Sequence, residues 1–158
     1  MNSRLLITTV LLGVVGALIT GYLTLEHGRG ESPACLVGHG CAVIASSKYA
    51  HIGVIPTAAL GLFAYLLLGM LAAARLMGPP DDIAKLLRIG SFAISLVAFV
   101  FTAWLIYIAE FVLHATCTWC IASALTITSI FVLNAVDTTR WLRSRTVSDD
   151  PGSTAVAE

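Results

Sequence analysis

Charged residues are scarce in this sequence. Of its 158 residues only 11% are Asp, Glu, Lys or Arg, whereas 58% are hydrophobic. A soluble domain normally carries about a quarter charged residues, so the scarcity excludes an ordinary water-soluble domain, and the length fits one compact membrane domain. The formal net charge is zero, so nothing in the composition indicates a nucleic-acid partner. Internal repeats and low-complexity segments are also missing.

Four long apolar runs account for the hydrophobic excess. Each is close to the roughly 20 residues that a helix needs to cross about 30 Å of hydrocarbon, and none has a charged residue in its interior. In lipid the backbone polar groups must bond to one another, which requires helices. We therefore predict an all-α, integral membrane four-helix bundle in residues 1–140, with an extracytoplasmic loop capping the site. The predicted helices span about residues 5–25, 52–74, 89–109 and 117–136, and residues 141–158 are predicted to be a flexible cytoplasmic tail.

The first run could instead be a cleaved signal peptide, or a lipoprotein signal with Cys35 as the acylated residue. It is longer than the about 7–15 apolar residues of a signal peptide. Ser32-Pro33-Ala34 is also a poor cleavage context before Cys35. The membrane-helix interpretation is therefore preferred.

The basic residues predict the orientation of the bundle. With both termini in the cytoplasm, seven of the nine basic residues lie inside, in the direction of the positive-inside rule. The seven are Arg4, Arg75, Lys85, Arg88, Arg140, Arg143 and Arg145, and the two outside are Arg29 and Lys48. The predicted location is the cytoplasmic (inner) membrane, with all four cysteines at its extracytoplasmic, oxidising face.

A Cys-X-X-Cys motif, Cys117-Thr118-Trp119-Cys120, stands at the predicted start of the fourth helix. Positions i and i+3 share a helical face, so the two sulfurs can form a bridge. Thr116 is a plausible N-cap, and unpaired N–H groups in the first turn favour a thiolate at Cys117. These features indicate a redox-active pair. A metal half-site and inert buried thiols are the alternatives.

Cys35 and Cys41 form a second pair in the exterior loop, where Gly38 and Gly40 permit a tight bend. Alone, this pair would be interpreted as a structural disulfide. A second pair at the same membrane face allows thiol–disulfide exchange between the two pairs. Four cysteines could also bind zinc, but an oxidising compartment argues against four persistent thiolates, so no metal is predicted.

The order of these motifs resembles the vitamin K epoxide reductase family, in particular its bacterial homologues. The matching features are Cys35, Cys41, Ser47, the segments Gly53–Pro56 and Gly61–Tyr65, and the motif Cys117–Cys120. The resemblance covers roughly residues 5–140. Many bacterial members carry a fused thioredoxin-like domain, which this chain is expected to lack because no cysteine follows Cys120.

The resemblance implies a bundle that holds a quinone, ubiquinone or menaquinone, beside the Cys-X-X-Cys motif. It implies that Cys120 faces the quinone and that Cys117 exchanges with Cys41. Cys35 is then the residue that meets an external thioredoxin-like dithiol protein, supplied in trans. Ser47 is implied to support the loop and the site, with a merely solvated serine as the alternative.

Two positions depart from the animal enzymes of the family. An asparagine near the quinone is replaced by Thr57, and a tyrosine four residues after the motif is replaced by Ala124. Both positions are candidates for the quinone pocket, and both departures argue against vitamin K epoxide as the substrate. Glu110 and His114, spaced i and i+4, are candidates for a proton relay to the quinone. Polar residues that merely cap a helix end are the alternative there.

The predicted function is that of a quinone-dependent thiol oxidoreductase. It would reoxidise a thioredoxin-like dithiol oxidase and thereby support disulfide bond formation. An enzyme that reduces a quinone or a quinone epoxide as its physiological product is one alternative. A non-catalytic membrane bundle with two static disulfides is the other.

Overall fold

The computed structural model of the chain describes residues 3–29, 40–47, 50–52 and 55–148. In this part of the chain the backbone forms five helices and one small antiparallel ladder. The elements are α1 (Ser3–Gly28), α2 (Gly40–Ala45), β1 (His51–Ile52), β2 (Ile55–Pro56), α3 (Thr57–Leu76), α4 (Asp81–Phe111) and α5 (Thr118–Ser148). Helices α1, α3, α4 and α5 are long and apolar enough to cross a membrane. The predicted all-α fold with four membrane helices is confirmed.

The second and third membrane helices differ from their predicted bounds. α3 begins at Thr57 instead of residue 52, because β1 pairs with β2 and places His51 opposite Pro56. Pro56 is the N-cap of α3 and has an extended backbone. α4 is longer than residues 89–109 and begins at Asp81, with Asp82 also in its first turn. Acidic residues are favoured there because the helix N-terminus carries partial positive charge.

The last membrane helix continues well past residue 136, where we predicted its end. It reaches Ser148, so residues 141–148 continue the helix where we predicted a tail; residues 149–158 lie outside the described part. Trp141 lies in this extension and makes two contacts with arginine side chains. The guanidinium carbons of Arg88 and Arg145 lie 5.3 Å and 4.8 Å from its ring centroid. The contact with Arg88 packs this part of α5 against α4 by a cation–π interaction.

The four membrane helices form a ring. α1 packs against α3 and α5, and α4 packs against the same two helices. The most extensive contact joins α1 and α3, where a Cβ atom at Gly13 would lie 3.3 Å from the Gly69 Cα and one at Gly16 would overlap the Tyr65 ring. Lipid provides no hydrophobic drive for helix association, so close packing at small residues stabilises this contact.

An apolar cluster fills the middle of the bundle. It consists of Tyr65 and Leu68 on α3 and Ile127 and Ile130 on α5, and Ile130 is fully buried. On one side of this cluster α3 and α5 extend to the cysteines. On the other side they extend to a group of charged residues. The core therefore separates two chemically different ends of the molecule.

The charged end is held together by a buried ion triad. The Asp137 carboxylate on α5 accepts hydrogen bonds from Arg75 on α3 and from Arg88 on α4, the latter at 3.0 Å. The side chains of Arg75 and Asp137 are only 6% and 5% exposed. One carboxylate thus connects three of the four membrane helices.

Candidate active site

A cavity of about 180 Å³ lies at the end of the bundle that α2 covers. Its lining is mostly apolar, but it includes three cysteines and five hydroxyl side chains. The lining residues are Thr20, Leu23, Cys41, Ile44, Ala45, Ser47, Ala50, Pro56, Thr57, Ala58, Gly61, Phe101, Thr102, Leu105, Ile106, Ile108, Ala109, Leu113, Cys117, Cys120 and Ser123. All four membrane helices and α2 therefore contribute to one site.

Cys117 occupies the N-cap position of α5. Its carbonyl accepts the Ile121 N–H at 3.0 Å, and its sulfur accepts the Cys120 N–H at 3.2 Å. These are the two bonds that define an N-cap residue, so Cys117 itself takes the place predicted for Thr116. Thr116 is exposed and precedes the helix. The first turn of α5 therefore holds the two sulfurs together, and both cysteines are free thiols.

The contacts of Cys117 favour its thiolate. The Cys120 thiol donates a hydrogen bond to its sulfur, and the backbone N–H groups of Trp119 and Cys120 donate as well. Burial opposes ionisation, but the donors prevail and lower the pKa of Cys117 from 9.0 to about 7. A thiolate is the form of cysteine that attacks disulfides. Cys117 is therefore suited to be the exchanging sulfur of the pair.

Cys41 reaches the same cavity from α2. It is 2% exposed and is disulfide-bonded. Gly40, just before it, packs directly on the backbone of Thr116, just before Cys117, and a Cβ atom at Gly40 would overlap the Thr116 carbonyl. The glycine thus allows the close backbone approach that brings Cys41 near Cys117. Cys35, the fourth predicted site cysteine, lies outside the described residues.

Ser47 and Thr57, both predicted from the family resemblance, line the cavity. The Ser47 hydroxyl donates to the Ile44 carbonyl at 2.7 Å, which closes the end of α2. The Thr57 hydroxyl donates to the Ala50 carbonyl at 3.1 Å and connects α3 to the segment before β1. Both side chains therefore hold the chain segment that covers the cavity.

Ala124 is not among the residues that line the cavity, and Ser123 lines it instead. Successive residues of a helix point about 100° apart, so neighbouring positions face different surroundings. Ser123 follows Cys120 by three residues and shares its face, which is a signal that the sequence contains. Thr20 and Thr102 also line the cavity, and nothing in their sequence context distinguishes them from other helical threonines.

The predicted proton relay is not brought to the cavity. α4 ends at Phe111, so Glu110 and His114 do not share a helical face. His114 has a left-handed backbone with φ of +48°, which is uncommon for a residue other than glycine. It turns the chain from α4 towards Cys117. Both side chains are exposed, and neither lines the cavity.

The cavity has the size and chemistry of a site for an aromatic or quinonoid ring. An apolar cavity of about 150 Å³ is sufficient to hold benzene, and this one is slightly larger. Two free thiols at its wall supply a reductant for such a ring. Within the described residues no three His, Cys, Asp or Glu side chains are grouped to hold a metal ion.

The chain matches the vitamin K epoxide reductase family over residues 7–135. This stretch contains all four cysteines and, of the residues that the structure describes, all those that line the cavity. The protein belongs to that family. Members of the vitamin K epoxide reductase family are oxidoreductases that use quinone. The family resemblance predicted from the cysteine pattern is confirmed. The chemistry of the family agrees with a mostly apolar cavity that is lined by the thiols of Cys117 and Cys120.

Proposed function

We propose that the protein is a thiol:quinone oxidoreductase of the cytoplasmic membrane. It reoxidises a thioredoxin-like dithiol protein, which acts in trans at the extracytoplasmic face, and a membrane quinone (ubiquinone or menaquinone) is the final electron acceptor. In this role it supports the formation of disulfide bonds outside the cytoplasm.

One observation carries the proposal. Disulfide-bonded Cys41 and the free thiols of Cys117 and Cys120 line the same apolar cavity. Thiol–disulfide exchange requires the attacking sulfur to reach the attacked one, and an apolar space beside a dithiol suits a quinone ring. The protein's contribution is to position the sulfurs and to lower the pKa of Cys117, while the quinone supplies the two-electron chemistry.

The proposed electron path has three balanced steps. First, the partner dithiol reduces the Cys35–Cys41 disulfide and itself becomes a disulfide. Next, the Cys41 thiolate attacks the oxidised Cys117–Cys120 pair at Cys117, and Cys35 then resolves the mixed disulfide, which restores the Cys35–Cys41 bond. Finally, the Cys117–Cys120 dithiol passes two electrons and two protons to the quinone and becomes a disulfide. In this path, a bonded Cys41 beside reduced Cys117 and Cys120 precedes the last step.

The alternatives receive less support. Two static disulfides would require a bond between Cys117 and Cys120, and both are free thiols. For an epoxide reductase of the animal type, the two polar pocket positions are replaced by Thr57 and Ala124. The Thr57 hydroxyl is already bonded to the Ala50 carbonyl, and Ala124 does not line the cavity. No observation favours a quinone epoxide as the substrate.

Trapping of cysteine variants in membranes tests the path. Cys41→Ala leaves Cys35 as a lone thiol, which should attack the disulfide of an oxidised partner, release one partner thiol and accumulate as a mixed disulfide, because Cys41 is not there to release the partner. Cys120→Ala should leave a persistent Cys41–Cys117 bridge without quinone reduction. Cys35→Ala is the matched control, in which the partner stays reduced while Cys41 can still bridge Cys117. Wild-type oxidase activity in all these variants would show that the cysteines are structural.

A second test uses purified protein. With quinone alone, turnover should stop after the bound electrons are spent, and it should resume when a dithiol protein is added. Sustained quinone reduction without any added thiol would contradict the proposed path.

A further inference from the structure

Among the residues that the structure describes, five hydroxyl side chains line the cavity, and they differ in whether their proton has an acceptor. They are Thr20, Ser47, Thr57, Thr102 and Ser123. A hydroxyl group carries one proton and two lone pairs. In an apolar cavity a hydroxyl proton without an acceptor is unfavourable, so each such proton is expected to be bonded to protein or to ligand.

Three of these protons are bonded to backbone carbonyls. The donor–acceptor distances are 2.8 Å from Thr20 to Gly16, 2.7 Å from Ser47 to Ile44 and 3.1 Å from Thr57 to Ala50. Each of these hydroxyls can still accept a hydrogen bond from a ligand. None of them has a proton left to donate.

The proton of Ser123 is also committed. Tyr65, which is 3% exposed, donates its O–H to the Ser123 carbonyl at 2.7 Å. The two hydroxyl oxygens of Tyr65 and Ser123 lie 2.9 Å apart. Because the only proton of Tyr65 is used on the carbonyl, Ser123 is the donor in this second contact.

Thr102 on α4 is the exception. It lines the cavity, and its hydroxyl has no hydrogen-bond partner within the part of the chain that the structure describes. Elsewhere in the membrane helices, Thr9, Thr126 and Thr128 each donate to the carbonyl four residues earlier, at 3.0, 2.8 and 2.7 Å. This backward bond is the usual way for a threonine to satisfy its hydroxyl inside a helix.

We propose that the Thr102 hydroxyl donates a hydrogen bond to a carbonyl oxygen of the oxidised quinone. A quinone carbonyl is an acceptor without a proton, and Thr102 holds the one lining hydroxyl proton that the described residues leave without an acceptor. The bond holds the ring on the α4 side of the cavity, and it withdraws charge from the ring, which favours electron transfer from the thiols. This inference rests on the proposed function and adds a substrate-contacting residue to it.

Isosteric replacement tests the proposal. Thr102→Val keeps the shape of the side chain and removes the donor, whereas Thr102→Ser keeps the donor. Thr126→Val is the matched control, because Thr126 is buried on α5, bonds to Ala122 and does not line the cavity. The dissociation constant and KM of a short-chain ubiquinone or menaquinone analogue are measured on purified protein, with dithiothreitol as reductant.

Thr102→Val should raise both constants roughly three- to tenfold, as expected for one neutral hydrogen bond. Thr102→Ser and Thr126→Val should stay within about twofold of wild type, by the same magnitude. Without quinone, the thermal midpoint of Thr102→Val should not fall, because no protein hydrogen bond is lost. A midpoint that falls would assign Thr102 a structural role and overturn the proposal.

The remaining outcomes separate the two levels of inference. If wild-type protein binds and reduces the quinone but Thr102→Val does so equally well, the role of Thr102 is wrong and the proposed function stands. If Thr102→Ser loses affinity as well, the methyl group and not the hydroxyl is what matters, and the proposal fails. If wild-type protein neither binds nor reduces any quinone, both inferences fail.

Discussion

Cys117 shows how a single position in the backbone sets chemical reactivity. As the N-cap of α5 it receives the hydrogen bond that a serine or aspartate normally receives there. The sulfur gains further donors from Cys120 and Trp119, and together they bring its pKa to about 7. At neutral pH a large fraction of Cys117 is therefore thiolate, although the side chain is 5% exposed.

The pH dependence of Cys117 alkylation follows from this pKa. In reduced protein the rate should rise as the pH increases through about 7, because only the thiolate reacts, and it should fall below that pH as the sulfur is protonated. Cys120→Ala removes the donor with the largest effect, so the midpoint should move up towards the ordinary 9.0. Mass spectrometry of the Cys117 peptide measures the rate.

Cys120→Ser is the matched control for this measurement. Its hydroxyl can still donate to the Cys117 sulfur, so the midpoint should stay close to 7. Equal midpoints in the alanine and serine variants would show that the side chain of residue 120 does not set the pKa of Cys117.

At the scale of elements, the contact between α2 and the start of α5 decides whether the cysteines can exchange. Gly40 and Thr116 touch through their backbones, and each stands directly before a cysteine of the cavity. Backbone atoms cannot rotate away as a side chain can. Any side chain at position 40 must therefore move α2 away from α5, and Cys41 with it.

Gly40→Ala is predicted to uncouple the two cysteine pairs while the bundle stays folded. A displacement of about 1 Å at reacting atoms can cost on the order of 10²-fold in rate, so quinone reduction driven by the partner dithiol should fall by about that factor. Reduction driven by dithiothreitol, which can reach Cys117–Cys120 directly, should change far less. Gly69→Ala is the control, since a Cβ there meets nothing within 4 Å. Equal losses with both reductants would refute the uncoupling.

The membrane helices were predictable because lipid leaves an apolar chain no alternative to a helix. The start of α3 was not predictable, because residues 52–56 are as apolar as the helix that follows. The pairing of β1 with β2 is what keeps this segment out of the helix. The continuation of α5 past residue 136 brings Trp141 into contact with Arg88, a residue far away in sequence. Boundaries that depend on tertiary contacts cannot be read from composition.

The cysteines of the site were predictable from spacing, whereas its hydroxyl groups were not. Cys117 and Cys120 are recognisable as a motif because the chain contains only four cysteines. Thr102 and Thr126 look alike in sequence, and only hydrogen bonding distinguishes the threonine bonded to its own helix from the one that is not. The family resemblance points to Ala124, whereas Ser123, one residue earlier, is the position that lines the cavity.

For the whole molecule, the ion triad is predicted to be a main stabilising feature of the end opposite the cavity. Asp137→Asn leaves the buried Arg75 and the partly buried Arg88 as neighbouring cations without their shared carboxylate, and loss of one partner of a buried pair costs roughly 3–5 kcal/mol. The thermal midpoint in detergent should fall by several degrees. Asp81→Asn, at an exposed position in the first turn of α4, is the control and should change it little. Equal midpoints for the two variants would show that the triad is not stabilising.

The two ends of the molecule also predict its orientation in the membrane. Arg75 lies in the last turn of α3 and Arg145 in the last turn of α5, both at the end away from the cysteines. Of the nine basic residues in the chain, seven belong to that end or to the segments next to it. Because basic residues are retained in the cytoplasm, the cavity is expected to open towards the extracytoplasmic side.

Reporter fusions check this orientation. Fusions at Ser144 and in the turn at 78–80 should give a cytoplasmic signal, and a fusion after Arg29 should give an extracytoplasmic one. The orientation matters for the chemistry, because disulfides persist only in an oxidising compartment. The partner dithiol must also reach Cys35 from that side. An extracytoplasmic signal at Ser144 would place the four cysteines in the reducing cytoplasm. The proposed flow of electrons from an external dithiol to the quinone would then have no source, although the fold and the cavity would remain as they are.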